Sequence, residues 1–140
     1  MVGIVVATHG HLAQEFVSTA EQIVGKLEAV STCAIEPTNS AAEIQHRVDE
    51  AVASVDSGQG VIVFTDLLGG TACNQSLMLT RSHDLEVITG LNLPMLLKAS
   101  TLRSEITSLP ELAATLARYG QKNITCASAL VRSALAPGNR

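Results

Sequence analysis

Val2-Gly3-Ile4-Val5-Val6-Ala7, running straight into Thr8-His9-Gly10, decides how the rest of the chain is read. The run is aliphatic, rich in β-branched residues and unbroken by any charge. Its shortness and β-branching mark a strand buried on both faces, the kind that belongs to a parallel sheet covered by helices. It lacks a basic leader region and a cleavage site, so a signal peptide is not expected. No window reaches the ~18 consecutive apolar residues of a membrane span. The expected location is cytoplasmic.

Working outward, apolar runs alternate with amphipathic stretches. Leu12, Phe16, Ala20, Ile23 and Val24 recur at helical spacing and Gly25 follows, which predicts a helix over 12–24. Residues 28–36 read as a second strand, closed by Pro37. Asn39 or Ser40 can cap a helix to Val55, with Ile44, Val48, Ala51, Val52 and Val55 on its buried stripe. Val61-Ile62-Val63-Phe64 is the clearest strand; a helix over 71–80 and a strand over 85–89 follow. Helices are expected over 93–100, opening near Pro94, and over 109–119, ended by Gly120. Residues 123–130 read as a fifth strand and 136–140 as a frayed tail, leaving 1–135 as one domain. The fold class is therefore α/β: an open, mostly parallel, doubly wound sheet of four to five strands with helices on both faces. In such sheets ligands sit outside the carboxyl ends of the strands.

Composition narrows the function classes. The chain has 140 residues, 46% apolar and 16% charged, enough for one real core. With no Trp, one Tyr and two Phe, it has little with which to stack bases. Nine basic residues, scattered along the chain, stand against thirteen acidic ones. No basic cluster tracks a phosphate backbone, so nucleic acid is not an expected partner. Three cysteines, Cys33, Cys73 and Cys126, show no paired spacing and read as reduced thiols.

Two strand-end loops carry unusual residues: Thr8-His9-Gly10, and Thr65-Asp66-Leu67-Leu68-Gly69-Gly70-Thr71. If the chain doubles back across its first strand, these loops become neighbours. A neutral imidazole is a nucleophile through its free lone pair. A carboxylate that accepts from one ring nitrogen decides which nitrogen stays free and stabilises the cation that develops during attack. Asp66 is expected to accept from the Nδ1–H of His9, leaving Nε2 as the nucleophile. A phosphoryl group there needs donors. Backbone amides of Gly10, Gly69 and Gly70 at helix N-termini, and the hydroxyls of Thr8 and Thr71, are the candidates. Neither loop contains Lys, and no phosphate-loop pattern exists. Such a site suits storage of one phosphoryl group better than nucleotide hydrolysis.

Three stretches, Thr8-His9-Gly10-His11-Leu12-Ala13, Asp66 through Asn74 and Gly90-Leu91-Asn92-Leu93-Pro94-Met95-Leu96, together resemble the IIA component of the mannose-class sugar phosphotransferase system. The resemblance spans about residues 2–126 and is weakest after Tyr119. It implies a phosphotransferase that forms a phosphohistidine on His9, oriented by Asp66, with no cofactor and no metal. It also implies HPr as phosphoryl donor, a IIB component as acceptor and indirect association with membrane IIC and IID components. A homodimer exchanging its last strand is implied as well. Asn92 carries over near the site. Ala72 stands where the family often has Pro, which would preset the first helical turn. No IIB domain follows within these residues, so a separate IIB protein is expected.

Blander readings stand beside these. Asp66 can cap its own turn, Gly69-Gly70 can be only a tight turn, and Thr71 can be only a helix cap. His9 and His11 with Asp66 could hold zinc, but no third neutral ligand sits in a matching loop. His46 and His83 read as solvated. Two other functions fit the same site: the phosphotransfer subunit of a dihydroxyacetone kinase, and a regulatory binding module switched by phosphorylation.

Overall fold

The computed structural model describes residues 1–67 and 69–135. The expected tail over 136–140, and Leu68 of the second loop, lie outside the described residues. Four strands, β1 (Gly3–His9), β2 (Val30–Ile35), β3 (Val61–Thr65) and β4 (Leu85–Ile88), form one sheet in the order β2-β1-β3-β4. All neighbouring pairs are parallel. Helices α1 (Leu12–Val24), α2 (Ala41–Val55) and α3 (Thr71–Met78) connect the strands; α4 (Leu93–Leu102), α5 (Leu109–Lys122) and α6 (Ala127–Leu135) follow β4. A single 3₁₀ turn, Leu79–Arg81, ends α3. No helix among the described residues is long and apolar enough to cross a membrane.

The two-residue period of β1 sorts the core. Val2, Ile4 and Val6 face α1, α4 and α5 together with Ile62, Phe64 and Ile88. Val5 and Ala7 face α2 and α3 together with Val61, Val63, Cys33 and Ile35. Neighbouring strand residues point to opposite faces, so both sides of this strand are dry. Each fully buried Val or Ile contributes about 1.5–3 kcal/mol. Gly3 is needed for packing: a Cβ there would collide with the backbone carbonyl of Val55 at the end of α2.

Local signals place most helix ends. Ser40 Oγ accepts from Glu43 N at 3.1 Å and opens α2, whose buried residues are the expected five. Ser108 opens α5 in the same way. The stripe of α1 is rotated from expectation. Ala13 and Ala20 are buried and Phe16 and Val17 half-buried, while Leu12, Ile23 and Val24 are exposed. The helix is set where Ala13 N meets the Thr8 hydroxyl, so Leu12 turns outward. The guanidinium of Arg103 is buried and ties the starts of β1 and β2, donating to the carbonyls of Glu28, Ala29 and Val2.

Two further expectations need correction. Residues 123–130 do not form a fifth strand; the segment ends in α6, which buries no residue. Ala-Ser-Ala-Leu-Val-Arg-Ser-Ala-Leu is mostly good helix formers, and one Val is too little β-branching to oppose them. His83 is not simply solvated: its Nε2 meets Asp49 Oδ1 at 2.5 Å, joining α2 to the turn before β4. That partner lies 34 positions away and leaves no local pattern.

Candidate functional site

Strand β1 lies between β2 and β3, and this order builds the site. β1 runs two residues further than its aliphatic core, so His9 is its last residue, paired with Ile35 of β2. Gly10 then turns the chain at φ +54, a conformation glycine adopts without strain, while its N–H donates to Ile35 O at 2.9 Å. On the other side Ala7 pairs with Thr65, which delivers Asp66 beside His9.

Asp66 Oδ2 accepts twice from His9, from Nδ1 at 2.9 Å and from the backbone N–H at 3.1 Å. The two residues lie 57 positions apart in sequence. The His9 side chain is 54% exposed and that of Asp66 14%, so the carboxylate stands behind the ring and the ring faces outward. Burial pushes the Asp66 carboxyl up. The hydrogen bonds from the His9 ring and backbone, with the charge of the ring, outweigh it and hold the carboxyl below its ordinary value. With Nδ1 engaged, Nε2 is the ring nitrogen without a partner among the described residues.

The other predicted residues divide. Gly69, Gly70 and Thr71 stand at the start of α3, with Gly70 as its N-cap and Gly69 at φ +79. Asn74 closes this turn, donating from its backbone to Gly70 O and from its side chain to Gly69 O. Thr71 and His9 line one cavity of about 440 Å³. Thr8 is the correction. It is fully buried, accepts from Ala13 N at 2.7 Å and donates to the His9 carbonyl. Adjacent strand residues face opposite sides of a sheet, so Thr8 caps α1 on the far face and cannot share a ligand with His9. The Gly10 amide is likewise committed to β2, which removes it as a phosphate donor. Asn92 is a structural cap: Oδ1 accepts from Met95 N and Nδ2 donates to Gly120 O, tying α4 to α5.

Sequence reading missed one wall of the site. Glu36, Pro37 and Asn39 of the β2–α2 loop, with Ile35 and Ile44, complete the cavity beside His9. Asn39 Oδ1 holds this loop by accepting from Glu36 N and from Arg47. The signal was available, since this loop also leaves a strand's carboxyl end. It contains no residue pattern that marks chemistry, and only the pairing of β2 with β1 brings it to His9.

Comparison with known proteins gives the family and the fold. A family model described as "PTS system fructose IIA component" matches residues 3–117. The mannose-specific EIIAB component of the Escherichia coli phosphotransferase system is 30% identical over 125 residues, which are 88% of this chain and 38% of that protein. The chain thus spans well under half the length of that relative. Among solved structures, the mannose/sorbose specific IIA subunit from Enterococcus faecalis matches with a TM-score of 0.80 at 28% identity, over 89% of this chain and 92% of that one. The IIA protein associated with the fucose utilization operon of Streptococcus pneumoniae matches with a TM-score of 0.78 at 31% identity, over 94% and 99%. With its four-stranded parallel sheet and its histidine-carboxylate pair at the sheet's carboxyl edge, the chain belongs to the mannose-class IIA (EIIA-man) family of the sugar phosphotransferase system.

Proposed function

We propose that the chain is a cytoplasmic phosphocarrier, with His9 as the phosphorylated residue, HPr as donor and a IIB component as acceptor. The observation that carries this reading is the Nδ1 contact to Asp66 at 2.9 Å; an ionised carboxylate only accepts, which favours the tautomer with the proton on Nδ1 and the lone pair on Nε2. The Nε2 lone pair attacks the phosphorus of phospho-HPr. A nitrogen–phosphorus bond forms on His9 as the one on the donor breaks, and the donor imidazole takes back its electron pair. The proton on Nδ1 stays against Asp66, whose charge stabilises the ring as it becomes cationic. Transfer to IIB repeats the exchange with His9 as leaving group.

The incoming group carries about two negative charges. The N-terminus of α3, with the Thr71 hydroxyl, offers donors on the same face of the sheet as His9. Leu12 at the start of α1 and Leu67 of the β3–α3 loop are exposed, apolar surface for a transient protein partner. The test is label transfer from phosphoenolpyruvate through the general carriers. Wild type should acquire an acid-labile, base-stable label, His9→Ala none, and added IIB should remove it. A label retained in His9→Ala refutes the assignment; a label that IIB never takes up favours a regulatory role.

A further inference from the structure

Gly70 stands beside the His9 ring. A Cβ built on Gly70 would stand 3.3 Å from His9 Cε1, the ring carbon between the two nitrogens, and 3.8 Å from Leu67 Cβ. That is tighter than ordinary van der Waals contact, so the ring would have to give by a few tenths of an ångström. The ring is not free to give without loss, because Nδ1 is held by Asp66 at 2.9 Å and the backbone of His9 is held by Asp66 and by the pairing with Ile35. Backbone freedom does not explain a glycine at this position. Gly70 sits at φ −73 and ψ 165, extended backbone open to any residue. Its neighbour Gly69 is the reverse case, at φ +79 with nothing within 4 Å of its absent Cβ.

We propose that Gly70 is a positioning residue: the missing side chain leaves the space that lets the His9 ring hold Asp66 through Nδ1 and keep its Nε2 edge uncovered. This rests on His9 being the residue that carries the phosphoryl group. A side chain at 70 forces a choice. Either the ring keeps Asp66 and its outer edge is screened, or it swings clear and gives up the Nδ1 contact.

Two variants separate crowding from helix capping. Gly70→Ala and Gly70→Ser add the same Cβ, but Ser is a good N-cap for α3 and Ala a poor one. A loss shared by both is therefore crowding, and Gly70→Ser keeps the helix intact should Gly70→Ala fold badly. Gly69→Ala strains the backbone without touching the ring and serves as the control. The ring is read without any partner protein in two ways. Imidazole ¹⁵N shifts report whether Nδ1 carries the proton. Carbethoxylation by diethyl pyrocarbonate, followed residue by residue by mass spectrometry, reports Nε2 access, with His11 and His46 as internal references. Both Gly70 variants should lose the Nδ1–H signature or carbethoxylate His9 roughly two- to tenfold more slowly, the range expected for a side chain forced off its rotamer. The references should not change. Wild-type ring shifts and wild-type His9 reactivity in Gly70→Ser would overturn the proposal while leaving the carrier reading untouched. A phosphoryl label retained in His9→Ala would sink the carrier reading whatever the ring does.

Discussion

Replacing Asp66 by Asn keeps the shape of the side chain and removes its charge. Two hydrogen bonds are at stake, to His9 Nδ1 at 2.9 Å and to the His9 backbone N–H at 3.1 Å. The backbone bond exists before and after attack, so it cancels from the barrier. In the proposed transfer the ring bond does not cancel, because the imidazole would gain positive charge as the phosphoryl group arrives, and only interactions stronger in the transition state speed the reaction. A hydrogen bond to a charged group contributes about 1.5–3 kcal/mol against 0.5–1.5 for a neutral one. The ring is 54% exposed, which places the loss toward the lower end, about 1 to 2 kcal/mol. That corresponds to roughly a five- to thirtyfold slower transfer. Asn can also turn its amide NH₂ toward Nδ1, which moves the ring proton to Nε2 and silences it; this works in the same direction. The assay is rapid-quench transfer of labelled phosphoryl from saturating phospho-HPr. The turnover rate should fall while KM changes little. A rate within about twofold of wild type, from a protein with unchanged circular dichroism, would mean that Asp66 does not act on the ring during transfer.

Other outcomes follow from the same contacts. Thr8→Val should leave the Ala13 N–H unsatisfied at the start of α1 and cost about 1–2 kcal/mol. That would appear as a lower urea midpoint with an unchanged slope, and the transfer rate of the folded fraction should stay at wild type. Gly3→Ala sets a Cβ against the Val55 backbone carbonyl, whereas Gly120→Ala meets the terminal methyl of the unbranched Met95 side chain. The first should cost more than about 3 kcal/mol and the second markedly less; equal losses in thermal melts would contradict this packing. The Asp66 carboxyl is held below its ordinary value, so the unfolded chain takes up this proton first as the pH falls. Its stabilising contribution is whole above roughly pH 4 and is lost as the pH drops through the folded-state value. The stability gap between wild type and Asp66→Asn in urea titrations should therefore narrow below about pH 4, and a constant gap would argue against the pairing.

Much of this molecule is legible along the chain because its signals are local. Val2 to Ala7 and Val61 to Phe64 are strands by β-branching and the absence of charge. Ser40, Asn92 and Ser108 each accept from a backbone N–H three residues on, and their helices begin there. Where local preference was weak, reading failed. Residues 123–130 had a few strand-compatible residues but no run of them, and Ala and Leu carried the following segment into a helix. The resemblance of three separated motifs was legible too, because it needs only residue order.

What no local pattern carried is the side of the sheet on which each residue falls, and which loops meet. Thr8 and His9 are adjacent in sequence, yet one caps α1 in the core and the other faces a cavity, because a strand sends successive side chains to opposite faces. His9 and Asp66 meet across 57 positions only because β3 crosses back beside β1, and Glu36 and Asn39 join them because β2 took the other edge. Residue chemistry singled out His9 and Asp66 as a candidate pair. The order of the strands decided that they touch, since a contact between distant residues is a property of packing that local conformational preference does not contain.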